Sequence, residues 1–294
     1  MAEKISDTYL DSKERSTDVK KPILTIQTPV HPPSPPKRRK SLYRRFKHLL
    51  SQLLGKGKYQ RRQRPRMKKP AIYVFSPEDI DVTVSVTLNK DMEFTTVYPI
   101  VPIKKLKPQG EKIQWDVHAS PDGSLMACET GLELSSLFWE ADLNARSFSR
   151  SRQGEIPGTW SLSDANSVVL SSDDITGYLQ RALLFLGLHT EARTNFVTFW
   201  LPTLMSHKHI ALRFMPQAEY SMIVPLDIKP QPDVIIRVFM LFQGVMDLEL
   251  WPSARRRAHD DVSFWADIVG VDSAAAFNKD LSRVLEWGAM EIPC

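Results

Sequence analysis

Between Lys37 and Lys69 the chain carries 15 lysines and arginines and not one aspartate or glutamate. Such a stretch cannot collapse on itself: its like charges repel, and its apolar area is too small to offset the chain entropy lost on folding. Whatever folds must lie elsewhere. Residues 1–36 hold five basic and five acidic side chains, and residues 70–294 hold 19 basic against 29 acidic. A net charge of +5 over 294 residues therefore hides three different objects: a neutral polar tail, a cationic block and an acidic body. We expect residues 1–70 to form a disordered, proline-rich and basic arm. Residues 71–250 should form a globular domain, with 251–294 as a C-terminal helical extension packed on it.

Two segments of the arm have sharper patterns. Pro29-Val-His-Pro-Pro-Ser-Pro-Pro-Lys37 favours an extended polyproline conformation, and Pro32, Pro35 and Lys37 match the spacing that proline-recognition modules accept. Its bland alternative is a stiff linker. In Ser41–Gly55, Leu42, Phe46, Leu49, Leu50, Leu53 and Leu54 recur at the spacing of one helix face. Arg44, Arg45 and Lys47 fall mostly on the other face, which makes a basic amphipathic helix suited to an anionic membrane, a partner groove, or the acidic body itself. Lys37, Arg38, Arg39 and Lys40, with Arg61, Arg62, Arg64, Arg66, Lys68 and Lys69, form flanking basic clusters. These read as contacts to an import receptor, nucleic acid or anionic lipid.

No apolar run approaches the ~20 residues of a membrane span, and the first twenty residues, with five acids, do not read as a secretory or transit signal. Two cysteines are too few for a disulfide scaffold. The expected setting is intracellular, in nucleus or cytoplasm, with peripheral membrane contact as a further option.

The body reads as α+β, a β-rich, sandwich-like core with an inserted helical pair. Ile80–Leu88 alternates strictly, which predicts a strand with one buried face. Further strands are expected around 94–101, 112–119, 134–139, 209–215, 223–228 and 234–242. Ser120-Pro-Asp-Gly-Ser124 reads as a turn, and 144–158 as an exposed loop. One helix should open at Ser172 and end at Gly187, and a second should run from Thr190 until Pro202 stops it; a last helix is expected over 274–285.

Several segments in order, Ser120-Pro-Asp-Gly-Ser-Leu125, Leu137-Phe-Trp-Glu140, Phe196-Val-Thr-Phe-Trp-Leu-Pro202, Pro230-Gln-Pro-Asp233 and Arg237-Val-Phe-Met240, resemble a family of conserved hypothetical domains found in bacteria and in eukaryotes, including fungi. The resemblance spans roughly residues 75–246. It implies a domain boundary and, because that family has no established activity, no mechanism.

No G-x-S-x-G, P-loop, H-E-x-x-H or C-x-x-C is present. Three weaker constellations remain. Cys128 and His118, on neighbouring strands, could act as nucleophile and base of a hydrolase, although a lone cysteine is more often a small buried hydrophobe. Glu140 beside Trp139 could be a carboxylate lining a cleft, or it could pair with Arg237, the one charge in an apolar strand. His207 and His209 would share a strand face as metal ligands do, without an identifiable third. No cofactor is implied. The expectation is a non-enzymatic module that binds a protein partner and is localised by its cationic arm, with a hydrolase and a nucleic-acid-associated nuclear protein as rivals.

Overall fold

The computed structural model describes residues 66–107, 110–143 and 160–292. The proline motif at Pro32, Pro35 and Lys37, the amphipathic segment 41–55, the basic residues from Lys37 to Arg64 and the whole loop at 144–158 lie outside the described residues. Within them the architecture is α+β around a β-rich core.

Among the described residues thirteen strands form two open sheets. The larger contains β1 (Arg66–Phe75), β3 (Met92–Tyr98), β8 (Leu137–Leu143), β9 (Val168–Ser171), β10 (His209–Phe214), β12 (Val234–Gly244) and β13 (Arg283–Glu291), in the order β3-β8-β1-β13-β12-β10-β9. All neighbours are antiparallel except β12 and β13. The smaller sheet runs β11 (Leu226–Lys229), β2 (Ile80–Leu88), β5 (Glu111–Ala119), β6 (Leu125–Ala127), β7 (Glu133–Leu134), and β4 (Lys104–Lys105) also pairs with β5. Six helices accompany them: α1 (Ile175–Phe185), α2 (Thr190–Leu204), α3 (Gln217–Ile223), α4 (Pro252–Arg257), α5 (Phe264–Val269) and α6 (Ser273–Phe277).

Side-chain alternation assigns the layers. On β12, Phe239 and Leu241 join Val84, Val86, Trp115 and Val117 of the smaller sheet in one core, whereas Ile236, Val238, Met240 and Phe242 join Leu179, Leu183, Phe196 and Trp200 of α1 and α2 in another. The larger sheet is thus the middle layer, with a sheet on one face and helices on the other. The expected sandwich with its helical pair is what forms, and strict alternation in β2 follows from its having one buried face.

The C-terminal segment differs from expectation. Residues 251–294 are not a helical extension: three short helices lead into β13, which sits in the middle of the larger sheet, parallel to β12. Arg283-Val-Leu-Glu-Trp-Gly-Ala-Met-Glu291 shows no alternation because both faces of a central strand are buried, which removes the period-two signal. The helix expected over 274–285 stops at Phe277, with Asp272 capping its start through Ala274 and Ala275 N–H.

Smaller corrections have local causes. Strand β1 already includes residues before 71, so Arg66, Lys68 and Lys69 belong to it; Arg66 Nε lies 3.2 Å from Asp142. Residues 134–139 are split between β7 and β8, and residues 223–228 between the end of α3 and β11. Pro202 lies inside the last turn of α2, which ends at Leu204.

Candidate functional site

A concavity is built where β1 ends. Tyr73 and Phe75 are two residues apart, so their rings share a face, nearly parallel with centroids 6.3 Å apart. His189 precedes the first residue of α2 and stands edge-on against both rings, at 4.8 Å and 5.4 Å. Gly187, at φ +81°, brings the chain out of α1 towards His189; a Cβ there would lie 2.7 Å from Ala276 Cβ.

The opposite wall is the turn between β5 and β6. Ser120 N–H donates to Ser124 O and Gly123 N–H to Ser120 O, and Gly123, at φ +88°, packs so closely on Phe75 that a Cβ would meet its ring at 3.2 Å. Ser124 N–H and Oγ–H both donate to Asp122 Oδ1, at 2.8 Å and 2.6 Å, and these bonds hold the Asp122 carboxyl below its ordinary range. Glu133, Leu134 and Ser135 add a strip of wall, and Glu191 enters from the first turn of α2. The cleft is open to solvent and has a volume of about 510 Å³.

The electrostatics are one-sided. Burial pushes His189 below its ordinary value, so the ring is neutral near pH 7, and its Nδ1 is buried without a hydrogen-bond partner. Glu133 and Glu191 have no hydrogen-bonded or ion-paired side-chain partner among the described residues. Arg283 stacks over Phe75 at 5.0 Å, but its hydrogen bonds go to the carbonyls of Leu281 and Ala276. Three carboxylates therefore surround a floor of aromatic edges and faces. That arrangement suits a cationic side chain, with its apolar stem on the rings and its charge at the rim.

The residues singled out from sequence lie elsewhere. His118 is on the outer face of the smaller sheet, its Nδ1 2.9 Å from Asp81 and its Nε2 3.4 Å from Asp79; the bond to Asp81 leads in raising its pKa. Cys128 is exposed just after β6, its N–H donating to Asp116 O, so it is not a buried hydrophobe, and both ring nitrogens of His118 are drawn to the aspartates.

Glu140 does not pair with Arg237. It accepts from Lys69 N–H at 3.3 Å and Thr96 Oγ at 3.5 Å, clamping a bulge in β1 where Lys69 adopts φ +53°. The Lys69 ammonium lies over the rings of Phe199 and Trp287, at 5.1 Å and 5.9 Å. His207 Nε2 sits 2.8 Å from Glu291 Oε1 in the connection before β10, whereas His209 is within β10 opposite Ser171. Among the described residues no group of three or more His, Cys, Asp or Glu side chains is placed to hold a metal ion.

Of the cleft residues, only the turn around Gly123 and the start of α2 next to Glu191 are legible in the sequence. Tyr73, Phe75, Glu133 and His189 meet only through the fold, and the one local signal was His189-Thr190-Glu191 following Gly187 at a helix start. Among the described residues no helix is long and apolar enough to cross a membrane. Comparison with protein-family models, with curated proteins and with solved structures finds no match for this chain.

Proposed function

We propose that this protein is a binding module whose acidic cleft takes a lysine- or arginine-bearing segment of a partner protein, while the cationic stretch beginning at Lys37 contacts an anionic surface and localises it. The observation that carries this reading is the pair Glu133 and Glu191, unpaired carboxylates at the rim of a cavity floored by Tyr73, Phe75 and His189. A carboxylate left without an internal partner beside aromatic rings gains most from an incoming cation. A hydrolase using Cys128 and His118 finds less support, since His118 is held by two aspartates, away from a proton-transfer role towards sulfur.

The test uses the full chain and a fluorescein-labelled lysine-rich peptide, with a glutamine-for-lysine peptide as control. Glu133→Gln with Glu191→Gln should weaken binding of the lysine peptide by about tenfold or more, equivalent to ~1.4 kcal/mol, and leave the thermal midpoint unchanged. Equal affinity of variant and parent would overturn the cleft reading. So would equal affinity for the two peptides.

A further inference from the structure

A second surface, distant in chemistry from the cleft, lies on the connection from β3 to β5. Tyr98-Pro-Ile-Val-Pro-Ile-Lys-Lys-Leu-Lys107 leaves Tyr98, Ile100, Ile103 and Leu106 exposed, Ile100 by 85%. These do not retreat into the core because the base of the segment is fixed. Trp115, buried between the sheets, donates its indole N–H to Pro99 O at 2.9 Å, and Val101 alone of the aliphatic side chains from Ile100 to Leu106 turns inwards against the core. Exposed bulky side chains grouped on one segment mark a contact surface.

The cations on the same segment point to what covers it. From Pro99 to Gly110 there is no acidic residue. Lys105 is tied down by Glu111, but Lys104 and Lys107 have no acidic partner among the described residues. Lys104 pairs across the sheet directly with Lys112, a like-charge juxtaposition that a cross-strand pair normally avoids. An anionic partner would relieve it. Lysine is depleted at protein–protein interfaces, whereas bulky apolar side chains interleaved with lysine are the composition of segments that lie in the headgroup layer of an anionic bilayer.

We propose that residues 98–107 are a membrane-surface contact, with Ile100, Ile103 and Leu106 entering the headgroup boundary of anionic phospholipid and Lys104, Lys107 and Lys112 facing its phosphates. This contact is independent of the cationic stretch before Arg66 and of the cleft.

The full chain carrying Cys128→Ser, Cys294→Ser and Ile100→Cys, labelled at position 100 with an environment-sensitive fluorophore, separates this surface from residues 37–65. With phosphatidylcholine vesicles containing phosphatidylserine, the label should shift to the blue and brighten several-fold, with no response to phosphatidylcholine alone. A second label at Met246→Cys, another exposed site, should stay water-like. Adding Lys104→Glu and Lys107→Glu should abolish the response at position 100 even where residues 37–65 still bring the protein down with the vesicles. A label that remains in water on co-sedimenting protein would overturn the proposal. A response that survives both lysine reversals, one that is equal on neutral vesicles, or one that appears only with a protein partner would do the same.

Discussion

Arg237 and Glu286 face each other across the parallel pair β12–β13, both almost fully buried between the two sheets. Nε and Nη2 of the guanidinium reach Glu286 Oε2 at 2.7 Å and 2.6 Å, while Trp139 Nε1–H donates to Oε1 at 3.1 Å. Arg237 Nη1 donates to Val224 O and Ser221 Oγ, and the guanidinium stacks on Tyr220, itself stacked on Phe239. One ion pair thereby ties the centre of the larger sheet to β8, to α3 and to the approach to β11.

Removing one partner leaves an uncompensated buried charge. Arg237→Met or Glu286→Leu should each cost about 3–5 kcal/mol of unfolding free energy. The double change Arg237→Met with Glu286→Leu should cost much less than the two single effects added together, as read from urea titrations of the four proteins. Additive losses would mean that the pair is not coupled.

Trp139→Phe tests the second oxygen of the same carboxylate. It removes one donor from a buried acceptor and should cost about 1–3 kcal/mol. The loss should shrink to little more than the ring-volume effect in the Glu286→Leu background, measured the same way.

Gly187 is held at φ +81° against Ala276. Gly187→Ala should destabilise by about 2–4 kcal/mol, combining a left-handed backbone with an overpacked contact. Adding Ala276→Gly should recover part of it, because only the contact is relieved. A thermal midpoint unmoved by Gly187→Ala would contradict this packing.

His189 gives the stability a pH dependence of known sign. Burial lowers its pKa in the folded state below the ordinary 6.5, so on acidification the unfolded chain takes up the proton first. Its contribution is therefore complete above pH 6.5 and is lost as pH falls from there through the lowered folded value. His118 runs the other way: its raised pKa favours the folded state below 6.5, and that gain disappears as pH rises through the raised value, weakened by its exposure to solvent. His189→Gln should flatten the loss below pH 6.5 in a series of urea midpoints, and His118→Gln should flatten the decline that sets in as pH rises above 6.5.

Much of this was legible in the sequence because it depends on short-range periodicity. Ile80–Leu88 alternates because one face packs into the core with Trp115 and Val117 while the other carries Asp81, Thr83, Ser85 and Thr87, so its strand could be read directly. The tight turn at Gly123 and the stop after the first helix at Gly187, both at positive φ, are also local. Where a strand is buried on both faces, as β13 is, local pattern carries no period, and its place beside β12 was decided by the two cores it completes. The partner of Arg237 could not be read for a related reason. Its burial was visible as one charge in an apolar run, but its choice of Glu286 over Glu140 depends on which residue 49 positions away the parallel register sets opposite it. The cleft follows the same rule: Tyr73, Phe75, Glu133 and His189 have no shared spacing, and only the packing of β1 against the start of α2 and the hairpin turn brings their rings and charges together. Sequence determined which segments fold and what each face needs to bury, because those are properties of neighbours along the chain. Tertiary structure decided which charges are paired and which are left open, because that depends on residues far apart in sequence being forced to share one low-dielectric space.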